Sequence, residues 1–149
     1  MHARESKRLF ELGGLLSIIK VAFHCYRREP EIVRLHTDEA IVLSEENGFV
    51  EWLHLGRFFH GWSISEHGQL EQGIAEMETA VADFHRLGGI PLQQFTNALL
   101  ARGYATMGRT DQALAMLNDA LGAHREHWRK GCPSRDASAQ GLGALDARR

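Results

Sequence analysis

The sequence predicts an all-α chain, an α-solenoid of about three stacked helical hairpins, and three observations carry that expectation. The first is a repeat. Arg28-Glu29-Pro30, Gly68-Gln69-Leu70 and Gly108-Arg109-Thr110 each open a copy of one pattern, and each copy starts 40 residues after the last. Twelve positions into every copy stands an alanine (Ala40, Ala80, Ala120), followed by an aliphatic residue (Ile41, Val81, Leu121). The second observation is spacing: apolar residues inside each copy recur with the 3.6-residue period of a helix face. The third is what is missing, since no run alternates apolar and polar residues between hairpin turns, as a strand would.

The elements follow in order. Residues 1–8 form a polar tail. The first hairpin, 9–48, places a helix over 9–26, a turn at Arg27-Arg28 and a second helix over 30–47 that ends at Gly48. The second, 49–88, places helices over 52–66 and 70–87, with a turn at His67-Gly68 and a stop at Gly88-Gly89, where glycine admits the left-handed conformation that ends helices. In the third, 89–128, Pro91 suits a first helical turn, and Leu92, Phe95, Leu99, Leu100 and Tyr104 share one face. Gly108 breaks that helix, Thr110-Asp111 offers the next N-cap, and Ala113, Leu114, Leu117, Ala120 and Leu121 make the stripe of the last helix. Beyond it, Gly131-Cys132-Pro133-Ser134, Gly141 and Gly143 argue against a further helix, so 129–149 reads as a flexible or incomplete tail. The alanines at 40, 80 and 120 are expected where paired helices cross closely, because a larger side chain would force the axes apart. A two-helix unit cannot bury its apolar face alone, and three stacked units are about the minimum for a stable array.

Composition narrows the function. The chain has 149 residues, 44% hydrophobic and 24% charged, ordinary values for a globular protein. A net charge of -2 argues against a nucleic-acid partner, and Arg27-Arg28, Arg125 and Arg129-Lys130 are too scattered to form a basic recognition helix. The apolar stretch 9–23 is interrupted by Glu11 and Lys20 and falls short of the about 20 residues a membrane span needs. Arg4, Lys7 and Arg8 imitate the start of a signal peptide, but no small-x-small cleavage pattern follows. Two cysteines, Cys25 and Cys132, make no disulfide framework, so a cytoplasmic location is expected. No phosphate-binding Gly-rich loop and no paired catalytic aspartates occur, so neither enzymatic activity nor a cofactor is expected.

Histidine is the enriched polar type, with nine copies. His124 and His127 share a helix face near Cys132, but a fourth ligand is missing and no metal site is expected. His54 and His60 do not share a face. His24 and Cys25, adjacent in a helix, point about 100° apart and do not form a reactive pair.

The third copy, with Asn97, Leu100, Ala101 and Tyr104 before Gly108 and with Ala113, Leu117 and Ala120 after it, resembles the tetratricopeptide repeat. The second copy matches more loosely through Arg57, His60, Gly61, Ile64, Gly73, Met77 and Ala80. The first is degenerate, with Ser17, Lys20, Val21, His24, Val33, Thr37 and Ala40. The 40-residue period exceeds the family's usual 34 and overlaps that of HEAT-type repeats. Over roughly 12–128 the phrasing is also similar to the C-terminal repeat region of bacterial multidomain signalling proteins. Those proteins carry class III adenylate/guanylate cyclase or predicted ATPase domains, which have no counterpart here.

The tetratricopeptide resemblance implies a concave groove, lined by the first helix of each hairpin, that takes a protein or peptide partner. Carried over position by position, the groove residues are Ile18, Ala22 and Tyr26, then Phe58, Trp62 and Glu66, then Ala98, Arg102 and Thr106. Ile18, Tyr26, Phe58, Trp62 and Arg102 are the candidate contacts. Phe58 and Trp62, four residues apart, would anchor the partner, and Arg102 would clamp a carboxylate. The competing reading is that aromatic stripes at helical spacing are core. The expected function is a non-enzymatic interaction or regulatory module, a fragment of a larger signalling protein. The alternative is an accessory remnant of a cyclase- or ATPase-type regulator whose catalytic domain lies elsewhere. Both ends of the array expose apolar residues, Leu12 to Phe23 at one and Leu117 and Leu121 at the other, so self-association through uncapped ends is also expected.

Overall fold

The structure is a computed structural model and describes residues 14, 17–88 and 93–131. The chain is all-helical, with no strand among the described residues. The first helix, α1, is described over 17–26. It is followed by α2 (Pro30–Asn47), α3 (Val50–Glu66), α4 (Leu70–Leu87), α5 (Gln93–Thr106) and α6 (Thr110–Gly131). No described helix is long and apolar enough to cross a membrane.

What ends the helices is one device used repeatedly. Arg28, Gly48, Gly68, Gly88 and Gly108 all have positive φ, between 57° and 101°, and stand 20 residues apart. The breaks at 28, 48, 68 and 108 are each closed by a backbone N–H reaching five residues back: Glu29 to His24, Phe49 to Ser44, Gln69 to Ile64 and Arg109 to Tyr104, at 2.8–3.1 Å. The 40-residue sequence repeat is thus two 20-residue halves in backbone geometry. Arg28 is the one break without glycine, and a left-handed turn there crowds its Cβ against the backbone.

Two sequence expectations shift at the third hairpin. Thr110 is the first residue of α6, not its N-cap, and Arg109 takes the flanking place, its carbonyl accepting the Ala113 N–H at 3.1 Å. At 128, where the next break would fall, the chain has tryptophan, and α6 continues to Gly131, three residues into the expected tail. The remainder of that tail, 132–149, the N-terminal tail 1–8 and Pro91 lie outside the described residues.

Helices pack on their chain neighbours, α2 on α3, α3 on α4, α4 on α5 and α5 on α6, and α3 also touches α5. One core runs through them, from Ile18, Val21 and Cys25 of α1 through Leu55, Phe58, Phe59 and Trp62 of α3 to Leu100 and Tyr104 of α5. Where α3 crosses α4, glycine stands at the contact. A Cβ on Gly61 of α3 would stand 2.7 Å from the carbonyl oxygen of Gly73 on α4, and a Cβ on Gly73 would stand 2.6 Å from that of Ser65. The same two positions hold Val21 and Val33 in the first hairpin and Ala101 and Ala113 in the third, all buried. Of the alanines expected at crossings, Ala80 is buried, whereas Ala40 and Ala120 are half-buried.

Polar and charged contacts tie neighbouring helices. On α3, His60 contacts Asp38 of α2 at 3.6 Å and Glu76 of α4 at 3.0 Å, and His54 lies 3.1 Å from Asp83 of α4. Arg57 meets Glu45 of α2 at 3.1 Å, and His67, just past α3, meets Glu31 of α2 at 3.2 Å. Between the second and third hairpins, Glu78 accepts the Tyr104 hydroxyl at 2.7 Å and the Arg109 guanidinium at 3.2 Å. The same guanidinium lies 4.5 Å over the Tyr104 ring.

Candidate partner-binding cleft

The left-handed break at Arg28 brings the end of α1 beside the facing surfaces of α3 and α5. Together they enclose a cleft of about 610 Å³, lined by Arg28, Trp62, Ser65, Glu66, Leu99, Arg102, Thr106 and the residues of the Gly68 break. Leu70 and Leu99 give its wall aliphatic patches between charged and hydroxyl side chains. Arg102 donates to the Glu66 carboxylate, tying α5 to α3 across it. Arg28 has no ion-pair partner among the described residues. Trp62 is 1% exposed, and its indole N–H is buried without a hydrogen-bond partner among the described residues. A buried donor left unmade costs about 1–3 kcal/mol, so this N–H favours any acceptor that reaches it.

Of the five groove residues the sequence singled out, two line this cleft, Trp62 and Arg102. Phe58 is 0% exposed and stacks edge-on against Phe59, with ring centroids 5.4 Å apart. With Trp62 also buried, the expected aromatic anchor pair is core and offers no open face. The cause is position: α3 is packed by α2 and α4 and touches α5, so most of its circumference is covered. Ile18 is likewise buried and lines a separate cavity of about 250 Å³ with Val21, Leu55, Phe59, Trp52 and His36. Burial there, with Lys20 nearby, holds the His36 imidazole below its ordinary pKa. Tyr26 is 83% exposed but does not line the cleft. Arg102 is present as expected, yet already neutralised by Glu66.

Sequence reasoning missed Arg28, Ser65 and Leu99. Arg28 had a signal: it is the one residue at the start of a copy where the other two have glycine. Cys25, on the last turn of α1, is buried, and burial pushes its thiol far above the ordinary range, with Arg102 opposing and Glu66 adding to the shift. His24 is engaged by Glu29 at 2.6 Å and does not activate it. Among the described residues no cluster of histidine, cysteine and carboxylate side chains is arranged to hold a metal ion, and His124, His127 and Cys132 lie outside that description. Comparison of the chain with protein-family models, with curated proteins and with solved structures finds no match.

Proposed function

We propose that this chain is a non-enzymatic protein-interaction module, an α-solenoid of tetratricopeptide type, whose cleft between α3 and α5 takes a carboxylate-bearing segment of another protein. The observation that carries the reading is the juxtaposition, in one cleft of about 610 Å³ that Trp62 and Leu99 also line, of two guanidiniums, Arg28 and Arg102. An incoming carboxylate would accept from Arg28 and compete with Glu66 for Arg102, while Leu99 covers an aliphatic neighbour of that carboxylate. The array reading is supported by the left-handed residue every 20 positions and by the small or apolar pairs at 21/33, 61/73 and 101/113. In a larger signalling protein such a module would couple that segment to the rest of the machinery.

The test is a titration with synthetic acidic and amide-capped basic peptides, followed by amide and indole resonances. Acidic peptides should move the Trp62 indole N–H together with the backbone signals of residues 28 and 102. Arg102→Ala should weaken that binding more than about tenfold. An indole signal that no peptide moves, or binding indifferent to Arg102, would remove the cleft from consideration.

A further inference from the structure

The hairpins dock on one another through a single antiparallel register. Ile41 of α2 meets position 56 of α3, where glycine leaves room for it, and Ile74 of α4 meets Gly103 of α5 in the same way. Shifted by one 40-residue repeat, the first contact becomes Val81 against Thr96. Those two are both buried, seven residues along α4 and seven residues back along α5 from Ile74 and Gly103. Both contacts therefore belong to one way of seating a hairpin on its predecessor.

Carried forward once more, this register predicts what α6 and α1 present. Leu114, Leu117 and Leu121 of α6 occupy the places of Ile74, Met77 and Val81, and all three are exposed. On α1, Ile19 and Phe23 occupy the places of Phe59 and Ser63 of α3 and of Leu99 and Gly103 of α5. They too are exposed, and Tyr26 extends the same face. One end thus offers the surface that receives a hairpin, and the other offers the surface that docks.

Charge agrees with this pairing where the end of α1 meets the start of α6. The described part of α1 carries Lys20, and Arg27 follows its end, engaged by Glu29 at 2.8 Å. On α6, Asp111 stands in the first turn and Asp119 midway, with Arg125 exposed further along. Antiparallel docking sets the basic end of α1 beside the acidic first turn of α6.

We propose that a second copy of this chain seats the Ile19–Phe23–Tyr26 face of its α1 on the Leu114–Leu117–Leu121 stripe of α6, head to tail, continuing the register that joins α4 to α5. Such an interface is heterologous, so each docked copy leaves one further face of each kind open. The surface is separate from the cleft between α3 and α5, and its test does not depend on a peptide ligand.

The experiment is sedimentation velocity on the full chain over a concentration series, with Phe23→Glu and Leu117→Glu variants whose helicity is checked by circular dichroism. The wild type should grow past a dimer with concentration. Each variant alone should be monomeric, its apparent dissociation constant raised more than about tenfold. An equimolar mixture of the two should form a heterodimer and stop there, because one intact face of each kind remains. A wild type that stays monomeric at millimolar concentration overturns the proposal. So does a Phe23→Glu variant that still dimerises, since that is pairing of α6 with itself. Normally folded variants that fail to complement in the mixture overturn it as well.

Discussion

In the second hairpin, Ile74 of α4 is 1% exposed because Gly103 of α5 lies against it; forty residues on, Leu114 holds the same position on α6 and is 54% exposed. The two residues are alike in chemistry and in place on the helix face. What differs is the next helix, described for α4 and absent from the described residues for α6. Burial in this molecule is therefore a property of the neighbour rather than of the residue, and stability should be distributed accordingly. The largest expected effect tests this directly. Ile74→Ala should cost about 2–5 kcal/mol in denaturant unfolding, while Leu114→Ala at low protein concentration should stay within about 0.5 kcal/mol. Equal costs would mean that α6 is covered after all.

The crossing positions sharpen the same comparison. Gly73→Ala drives a methyl into the backbone of α3, with no side chain able to step aside, and should destabilise by about 1–3 kcal/mol despite the better helix propensity of alanine. At Gly103 the obstacle is the end of the Ile74 side chain, which can rotate, so Gly103→Ala should cost less. Chemical denaturation of the two variants side by side ranks them.

Much of this was legible in the residues. The 40-residue recurrence and the turn residues placed α2 and α4 at their observed bounds and began α3 two residues late. The site was less legible, for a physical reason. A helical stripe such as Phe58 and Trp62 records that a face is apolar, and a chain read one helix at a time does not record that α3 has helices on several sides. Nor does the alanine register reveal that glycine stands where α3 crosses α4, because Gly61 and Gly73 are 12 residues apart and matter only as a pair. Arg28 was visible as a departure from glycine, but its left-handed φ is a backbone property.

The joint between the second and third hairpins gives a pH-dependent version of the comparison. Burial, the hydrogen bond to Glu78 and the charge of that carboxylate raise the Tyr104 phenol from 10.0 to about 12, with Arg109 opposing. The folded state thus holds this proton more tightly than the unfolded chain. Its contribution is complete below pH about 10 and is lost as pH rises toward 12. Tyr104→Phe should cost about 1 kcal/mol at pH 8 and flatten the alkaline decline, read from urea midpoints across that window.

The smallest expected effect runs the other way. Arg28→Gly relieves the one left-handed non-glycine among the described residues and should raise stability by about 0.5–1 kcal/mol, seen as a higher thermal midpoint. It also removes a cleft guanidinium, so a gain in stability alongside weaker binding of acidic peptides would show a turn kept strained for its side chain.

Because the breaks before α2, α3, α4 and α6 are only two or three residues long, little loop entropy is spent at those steps of assembly. Contacts so local place the chain among fast folders, and they also let it come apart from its edges. Amide protons in α3, gripped by α2, α4 and α5, should be the slowest to exchange with solvent. Those toward the far end of α6 exchange by fraying alone. The molecule in solution is a gradient of lifetimes along one axis, and a docked neighbour at α6 would slow exchange most where it is fastest.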